Sequence, residues 1–326
     1  MTARAPAPAG REVDVLIVGG GPAGLAAALV LGRSRRTVLV VDAGEPRNAP
    51  AAAMHSFLTR DGTPPDELRA IARTEVAGYG VHLHDGRAVT ASWVGDRSRH
   101  EERFRVELQD GATVLARRLV VTAGLVDELP QVEGLAQRWG RDVVHCPYCH
   151  GWEVRDRTIG VLATSPVALH HVGLFRQLSD RVVYLRHTGP ELDADQAATL
   201  AARDIEVVEG EVVAVESADD RLTGVCLADG RRVPLEALAV APRFAARSDL
   251  LAGLGVPVVD HPSGNGVHVP ADPMGRTEVA GVWVAGNVTD PMAQVIAAAA
   301  QGNTVGAAVN ADLVTEDMTR ARVVAC

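Results

Sequence analysis

A glycine-rich turn near the start of the chain constrains the fold most strongly. It follows an apolar, β-branched run at residues 13–18, which we predict to be a strand, and precedes residues 25–31, which we predict to be helical. Gly19, Gly21 and Gly24 have the GxGxxG spacing, which requires a strand before the turn and a helix after it. Such glycines let the backbone approach a pyrophosphate, and the helix N-terminus supplies amide donors for it. The turn predicts a dinucleotide-binding α/β domain.

A second strand strengthens this prediction. Residues 37–41 form another short apolar run and end at Asp42, about 20 residues beyond the turn, where a carboxylate can accept hydrogen bonds from ribose hydroxyls. Strand, turn, helix and acid together favour nucleotide binding over an ordinary glycine-rich turn. Arg47 and Asn48 follow in a polar loop, where they either line the cofactor or are solvated.

The next part of the first domain has the pattern of a β-meander. Several short alternating strands are predicted between residues 82 and 121, and the last runs into Thr122, Ala123 and Gly124. A meander followed by a return strand that ends in a small-residue turn completes a flavin-type nucleotide domain.

The C-terminal part of the chain has further features of a nucleotide-binding domain. Residues 281–286 read as a buried strand that meets a glycine turn, and Asn287 follows where it can hydrogen-bond a polyol. Residues 293–313 are predicted to form a long Ala/Gly-rich helix. Its small residues would let it lie close under a flat ring, and its N-terminus would stabilise negative charge on a reduced flavin. The alternative is a helix that is merely well packed.

Two cysteines near the middle of the chain carry the redox chemistry. Cys146 and Cys149 have the CxxC spacing, and His150 follows directly. This spacing lets one thiolate attack a substrate sulfur and the other resolve the mixed disulfide, while an imidazole moves the proton. A zinc half-site would need a second pair of ligands. The segment also matches the haem-attachment pattern, but no export signal precedes it.

A second nucleotide-shaped unit follows the cysteines. Residues 158–162, 167–178 and 181–185 are predicted as strand, helix and strand. However, the turn at residues 163–168 has no glycine to admit a pyrophosphate, and residues 186–188 supply neither an acid nor an arginine cluster for a 2′-phosphate. The second nucleotide site therefore looks dismantled. Further strands are predicted between residues 205 and 240, with Cys226 as a buried core thiol.

Composition excludes several other classes of protein. The formal net charge of −9 argues against a nucleic-acid or anionic-membrane surface. All 32 basic residues are arginine, which excludes Schiff-base chemistry and a P-loop lysine. Glycines interrupt the apolar run at residues 13–31, so we predict no membrane span. We further predict a cytoplasmic protein. Because a second pair of ligands for the CxxC cysteines is missing, we predict no metal site. Residues 1–12 are expected to be a disordered tail, and Cys326 a terminal residue without a role.

Taken together, these motifs resemble the low-molecular-weight thioredoxin reductase family of FAD flavoproteins. The resemblance rests on residues 19–24, 122–124, 146–149 and 286–288 and covers nearly the whole chain. It implies FAD in the outer domain, an inserted NADPH domain and a homodimer. It further implies that Cys149 faces the flavin and that Cys146 exchanges with the substrate.

The departures from this family are informative. The NADPH turn has lost its glycines, His150 replaces the acid that follows the second cysteine, and Asn287 replaces the ribityl-binding aspartate. This pattern is similar to the dithiol oxidases that close disulfides in natural products such as gliotoxin, holomycin and romidepsin. The resemblance then implies that electrons flow from a dithiol to the flavin and on to oxygen.

We therefore predict an α/β fold with two Rossmann-like, three-layer domains, the second inserted into the first. The FAD-binding domain spans residues 13–126 and 244–326, and the inserted, NAD(P)-binding-like domain spans residues 127–243. The residues expected to contact FAD are Gly19, Gly21, Pro22, Ala23, Gly24, Asp42, Ala43, Arg47, Asn48, Ala123, Gly124, Gly286, Asn287, Gln294 and Val295.

The predicted activity is FAD-dependent oxidation of a small-molecule dithiol, with dioxygen as acceptor and hydrogen peroxide as product. Cys146 and Cys149 form the relay, and His150, or secondarily His145, takes and returns the thiol protons. Two alternatives stay open. One is a reductase that uses NADPH, ferredoxin or another donor to reduce a thioredoxin-like protein. The other is a non-enzymatic flavin redox sensor.

Overall fold

The structure, a computed structural model, describes residues 11–95 and 103–324, which form two compact units. The first unit contains the described residues up to 49, residues 65–126 and the described residues from 244 onward. The second contains residues 50–64 and 127–243. The predicted α/β fold with two Rossmann-like units is confirmed.

The helices, numbered in chain order, are α1 (Pro22–Arg33), α2 (Pro65–Ala77), α3 (Leu135–Arg138), α4 (Pro147–His150), α5 (Val167–Phe175), α6 (Ala194–Ala201), α7 (Asp249–Ala252) and α8 (Val295–Val324). Two 3-10 turns lie at Trp152–Val154 and Gly286–Val288.

The strands are β1 (Arg11–Val18), β2 (Val38–Asp42), β3 (His82–Asp85), β4 (Ala88–Val94), β5 (Arg103–Leu108), β6 (Thr113–Val121), β7 (Leu125–Glu128), β8 (Val143–Val144), β9 (Ile159–Leu162), β10 (Val182–Leu185), β11 (Glu206–Val208), β12 (Val212–Ala218), β13 (Arg221–Leu227), β14 (Arg232–Pro234), β15 (Ala237–Val240), β16 (Arg243–Ala246), β17 (Val259–Asp260), β18 (Val267–His268) and β19 (Val282–Val284).

The first unit is built on a seven-stranded sheet in the order β3-β2-β1-β6-β5-β4, with β19 also paired to β6. β6 is one continuous strand with two kinds of partner. Its first half pairs antiparallel with β5, and its last residues pair parallel with β19. Side chains alternate across the sheet, so Leu16 and Ile17 of β1 enter two different apolar clusters. The meander and the return strand that we predicted separately therefore share β6.

Helices α1 and α8 pack with their backbones in direct contact. A Cβ atom at Gly302 of α8 would lie 2.0 Å from the carbonyl oxygen of Ala23, and one at Gly306 would lie 2.9 Å from that of Ala27. Only glycine permits this approach. We expected the small residues of α8 to lie under a flat ring, but these two glycines pack against another helix.

Helix α8 also continues well past residue 313, where we expected it to end. An ion-pair cluster binds this extension to β6, with Arg118 Nη2 2.6 Å from both Asp312 and Glu316. Arg117 of the same strand contacts Asp14 at 2.9 Å and Glu316 at 3.1 Å. Charged contacts replace the apolar pattern here, so hydrophobic periodicity gave no signal for the extension.

The second unit has a parallel five-stranded sheet in the order β11-β10-β9-β15-β8 and a three-stranded antiparallel sheet, β12-β13-β14. Cys226 lies on β13 and is partly exposed, so its prediction as a buried core thiol was wrong. Its neighbours Val225 and Leu227 point into the core, and successive side chains of a strand face opposite sides.

Residues 125–140 contain β7 and α3, and β7 pairs with β16 in a two-stranded sheet. The start of the chain differs from our expectation. Residues 11 and 12 begin β1 and pair with Val114 and Leu115, so they are not part of a tail. Residues 1–10 and Cys326 lie outside the described residues.

Residues 50–64, which we assigned to the first domain, belong to the second unit. Pro50 packs against Gly140, where an added Cβ would lie 2.7 Å from the proline Cβ. Met54 is buried. Ser56 bonds to the backbone of the CxxC turn, as described below. These contacts join residues that are far apart in the sequence, and no local sequence pattern indicates them.

No helix among the described residues is long and apolar enough to cross a membrane.

We predict that Gly302→Ala lowers the free energy of unfolding by about 1–3 kcal/mol, because the new Cβ must displace the Ala23 carbonyl or shift α8. Gly173→Ala in α5 is the matched control, since a Cβ there meets no heavy atom within 4 Å. That variant should be stabilised by about 0.5–1 kcal/mol through helix propensity. Urea denaturation measures both, and equal effects of the two substitutions would contradict the backbone contact.

Candidate redox site and flavin-binding loops

The two cysteines lie on one short helical turn. Cys146 is in an extended conformation directly before α4, Pro147 occupies the first turn, and the amides of Cys149 and His150 both donate to the Cys146 carbonyl, at 3.2 and 3.1 Å. The Cys149 Sγ atom lies 2.7 Å from the Cys146 Sγ atom, and both residues are partly exposed. The turn therefore holds two thiols close together at the surface of the second unit, as disulfide exchange requires.

His150 ends this turn with its imidazole largely buried. Its Nε2 atom has no hydrogen-bond partner among the residues that the structure describes. Burial lowers the pKa of His150, nearby Glu153 opposes that shift, and His55 adds to it. A neutral imidazole with an unused nitrogen can accept a thiol proton.

His145, the second candidate base, is held by the sheet. Its Nδ1 atom lies 3.0 Å from the carbonyl oxygen of Val240, and its ring centroid is 5.3 Å from that of His171. His171 is buried on α5, and burial, together with repulsion from His145 and His170, lowers its pKa to about 4. His171 is thus neutral near pH 7.

The 50–64 segment contributes side chains that we did not predict. The Ser56 hydroxyl donates to the carbonyl of Tyr148, inside the CxxC turn, at 2.9 Å. The His55 ring lies between two carboxylates, with Nε2 3.3 Å from Glu153 and Nδ1 3.4 Å from Asp61. A lone histidine outside any catalytic motif gives no sequence signal for such a position.

The first glycine turn is built by close backbone contacts. A Cβ at Gly24 would lie 1.9 Å from the Gly19 carbonyl oxygen, and one at Gly19, where φ is +109°, would lie 2.4 Å from the carbonyl oxygen of Thr122. The Thr122 hydroxyl in turn donates to the Gly19 carbonyl at 2.8 Å. In contrast, a Cβ at Gly21 or Gly124 would meet nothing within 4 Å.

The start of α1 is open to an anion. Pro22 and Ala23 lie in its first turn, no side chain caps it, and no acidic residue stands in that turn. Its amide donors therefore stay available, as a pyrophosphate requires. The predicted glycine turn and the predicted Ala123-Gly124 turn both lie beside this helix start.

Asp42 lies at the end of β2, with its carboxyl group against Gly20. It has partners that sequence reasoning missed: its Oδ2 is 3.4 Å from Arg69 and 3.7 Å from Arg73, both on α2. The amide of Gly44 also donates to its Oδ1 at 3.3 Å. The two arginines lie one helical turn apart, a spacing that is visible in the sequence.

Arg47 is not a solvated loop residue. Its Nη1 donates to the carbonyl of Pro291 at 3.2 Å, and its guanidinium lies 5.2 Å from the centroid of the Phe244 ring. Arg47 thereby links its loop to the loop before α8. Asn48 is partly buried next to it, and Ala43 is exposed.

Asn287 fixes the loop before α8. Its Nδ2 faces three carbonyl oxygens, those of Asp290 at 3.0 Å, Pro291 at 3.4 Å and Ala293 at 2.9 Å. Because only the amide nitrogen can donate to carbonyl oxygens, these contacts fix which way the side-chain amide points. The side-chain oxygen is then left as an acceptor for a ligand hydroxyl.

Two further residues support the same loop. Gly286 donates its amide to Gln301 at 2.9 Å, and Gln301 donates to Asp290 at 2.9 Å. Gln294 precedes Val295, the first residue of α8, and no acidic residue lies in the first turn of that helix.

Residues at the end of β10, next to the glycine-free turn at residues 163–168, make contacts within the second unit. Arg186 forms an ion pair with Glu209, and His187 accepts a hydrogen bond from the Val212 amide at 3.0 Å. A Cβ at Gly189 would lie 2.8 Å from the Cβ of Ala163. The side chains at the end of β10 are thus engaged within the unit.

Similarity to known proteins shows which family the chain belongs to. A family model described as pyridine nucleotide-disulphide oxidoreductase matches residues 13–302. The chain belongs to this family.

Its relatives include thioredoxin reductase sirT of Leptosphaeria maculans, 32% identical over 94% of this chain and 95% of that protein. Thioredoxin reductase tcpT of Claviceps purpurea is 31% identical over 93% of this chain and 95% of that protein. The crystal structure of HlmI has a TM-score of 0.89 and 44% identity over 96% of both chains. That of an oxidoreductase from Agrobacterium tumefaciens has a TM-score of 0.86 and 38% identity over 93% of this chain and 99% of that one.

The chain is therefore a thioredoxin reductase-like flavin oxidoreductase that acts on thiol or disulfide groups, and FAD is the cofactor of this family. The first unit fits that cofactor. It offers an uncapped helix start, open backbone at Gly21 and Gly124, and an acceptor oxygen on Asn287. Among the described residues, no group of three or more His, Cys, Asp or Glu side chains could hold a metal ion.

We predict that Asn287→Asp weakens FAD binding about tenfold or more, because a carboxylate would face carbonyl oxygens that now accept hydrogen bonds. The ratio of FAD to protein after purification and dialysis measures this. Asn310→Asp is the matched control, since Asn310 accepts a hydrogen bond from Arg36 at 2.9 Å and a carboxylate can replace it. Full FAD retention by Asn287→Asp would show that its amide does not hold the loop.

A second prediction concerns acid stability. The pKa of His171 is lowered in the folded state, so the unfolded state binds the extra proton between pH 6.5 and about 4. Stability is complete above that range and falls as the pH drops through it, by about 3 kcal/mol from this group. Denaturation at several pH values should give a shallower pH dependence for His171→Gln. His170→Gln, which removes only one of the two repelling neighbours, should change the slope much less than His171→Gln, and a wild-type slope for His171→Gln would contradict the assignment.

Proposed function

We propose that this chain is an FAD-dependent dithiol oxidase that closes a disulfide in a small-molecule dithiol and uses dioxygen as electron acceptor. The observation that carries the proposal lies at the end of β10, next to the glycine-free turn at residues 163–168, where Arg186 pairs with Glu209 and His187 accepts from the Val212 amide. The residues that a nucleotide phosphate would meet are thus committed elsewhere, while the cysteine pair beside His150 is intact. A dithiol is then the electron source that the chain can still use.

The thiol chemistry follows from the CxxC turn. A substrate thiol gives its proton to His150, and the resulting thiolate attacks the Cys146 sulfur of the Cys146–Cys149 disulfide, so that Cys149 leaves as a thiolate. The second substrate thiolate attacks the substrate sulfur of the mixed disulfide and releases Cys146. Two electrons have then passed from the substrate to the cysteine pair. The choice of Cys146 as the exchanging cysteine follows the family resemblance.

His150 suits the role of proton carrier because its lowered pKa keeps it neutral near pH 7. It receives the proton of each substrate thiol in turn and returns the two protons to the thiolates of Cys149 and Cys146, which balances the exchange. When bound, FAD would supply the two-electron chemistry between the cysteine dithiol and dioxygen, and the overall balance is one dithiol and one dioxygen to one disulfide and one hydrogen peroxide.

We propose that the residues of the first unit hold FAD in the following way. The start of α1 binds the pyrophosphate, Asp42 binds the ribose, and the Asn287 oxygen accepts a hydrogen bond from the polyol. The start of α8 stabilises negative charge beside it. As the family resemblance implies, we further propose a homodimer, which sedimentation equilibrium tests.

A reductase for a thioredoxin-like protein is the second candidate. Tyr148 and Trp152, beside the cysteines, are 62% and 64% exposed, and large exposed aromatic side chains favour a protein partner. This reading needs an electron donor, either NADPH or a protein.

Anaerobic reduction of the bound flavin separates the two candidates. NADPH, NADH and a small dithiol are added in turn, and the visible flavin absorption is followed. We expect bleaching by the dithiol alone, with colour and peroxide appearing when air is admitted. Rapid bleaching by NADPH would instead place the reductase first.

We predict that Cys146→Ser and Cys149→Ser each lower dithiol oxidation at least a thousandfold while FAD stays bound, because neither variant can form the disulfide that accepts the electrons. Oxygen consumption and flavin content are measured on the same samples. Cys226→Ser is the matched control and should keep wild-type turnover, since Cys226 lies on β13 of the other sheet. Normal turnover by either active-site variant would exclude the cysteine relay.

A further inference from the structure

The 50–64 segment is fastened to the CxxC turn by directed contacts. Besides the bond from the Ser56 hydroxyl to the Tyr148 carbonyl, the Ser56 amide donates to Asp61 at 2.8 Å. Ser56 and Thr59 have φ values of +61° and +76°, a conformation that non-glycine residues seldom adopt. Such strain persists only where surrounding contacts enforce it, and it is concentrated at functional sites.

These contacts place one imidazole beside the turn. The His55 side chain is 21% exposed and reaches Glu153 with one ring nitrogen and Asp61 with the other. Glu153 belongs to the 3-10 turn that directly follows α4. When protonated, His55 therefore carries a positive charge between two carboxylates, next to the residue that we propose as proton acceptor.

The charges around His150 come from several elements. Glu153 follows it on the 3-10 turn, and His55 faces it from the 50–64 segment, where Asp61 lies behind the His55 ring. α5 packs against α4 and carries His170 and the neutral His171, with His145 close to the latter. Arg155 lies 4.0 Å from the Trp152 ring centroid. Of these groups, Glu153 and His55 act most directly on His150, and with opposite sign.

We propose that His55 is a positioning residue of the redox site, which holds Glu153 beside the CxxC turn and, together with it, tunes how His150 accepts thiol protons. The proposal rests on the proposed function for its catalytic meaning, but the electrostatic coupling between the three residues is independent of turnover.

The two partners should shift the behaviour of His150 in opposite directions. His55→Gln removes a Coulombic influence that lowers the pKa of His150, so that pKa rises and proton acceptance begins at higher pH. Glu153→Gln removes the larger, opposing influence and lowers the same pKa. A charge that is largely screened by solvent corresponds to about half a pH unit, or about threefold in rate on the acid limb.

Titration of His150 by NMR tests the coupling without turnover. Protein labelled with 13C at the histidine Cε1 is titrated with the disulfide closed, and the His150 signal is assigned from its loss in His150→Gln. We expect its midpoint to rise in His55→Gln and to fall in Glu153→Gln. His55→Arg, which places a guanidinium beside Glu153, should not show the rise seen in His55→Gln. His82→Gln, on an exposed strand of the first unit, is the matched control.

The pH profile of dithiol oxidation gives the second readout. The acid limb should move to higher pH in His55→Gln and to lower pH in Glu153→Gln. A role in folding alone would lower stability and kcat in both variants without opposite shifts, and that result would overturn the proposal. Opposite NMR shifts without any dithiol turnover would keep the coupling but reject the oxidase function. Active enzyme with an unmoved His150 midpoint would reject the coupling alone.

Discussion

Direct backbone contact between glycine and its neighbours is the constraint on which the first unit depends. The Gly19 carbonyl occupies the space of a Gly24 side chain, the Thr122 carbonyl occupies that of a Gly19 side chain, and the Ala23 carbonyl occupies that of a Gly302 side chain. These contacts join β1, α1, β6 and α8 within a few residues. Gly21 and Gly124 lie next to these contacts in the sequence but a Cβ at either would meet nothing within 4 Å. Tight packing at some glycines is thus combined with open backbone at their neighbours.

Much of this unit could be predicted because its signals are local. The strand, the glycine turn, the alanine-rich helix and the acid at Asp42 follow each other within one short stretch, and each has its own chemical requirement. The parts that we missed depend on contacts between distant residues. The partners of Asp42 on α2, the support of Gly286 by Gln301 and the extension of α8 along β6 all join segments far apart in the chain. Charged and polar contacts of this kind leave no periodic pattern in the sequence.

The contrast between local signals and long-range contacts also explains which residues of the redox site could be predicted. The cysteine pair and His150 were found because they are adjacent in sequence. His55 lies about ninety residues before them, in a segment that we had placed in the other domain. Its proximity is decided by Pro50 against Gly140 and by Ser56 on Tyr148, neither of which has a sequence pattern. Cys226 shows the opposite error, since an apolar strand suggested burial but strand alternation turned this side chain outward.

Departures from the family pattern have structural partners in this chain. Asn287 holds three carbonyl groups of its loop, so an aspartate would remove the amide donor that they share. Arg186 and His187 bind Glu209 and the Val212 amide. Thiol–disulfide exchange is reversible, and its net direction follows from which electron donor and acceptor the protein can hold. In our proposal, the glycine-free turn at residues 163–168 and these internal contacts remove NADPH as a donor. The flow of electrons then reverses while the exchange chemistry at the cysteine pair is unchanged.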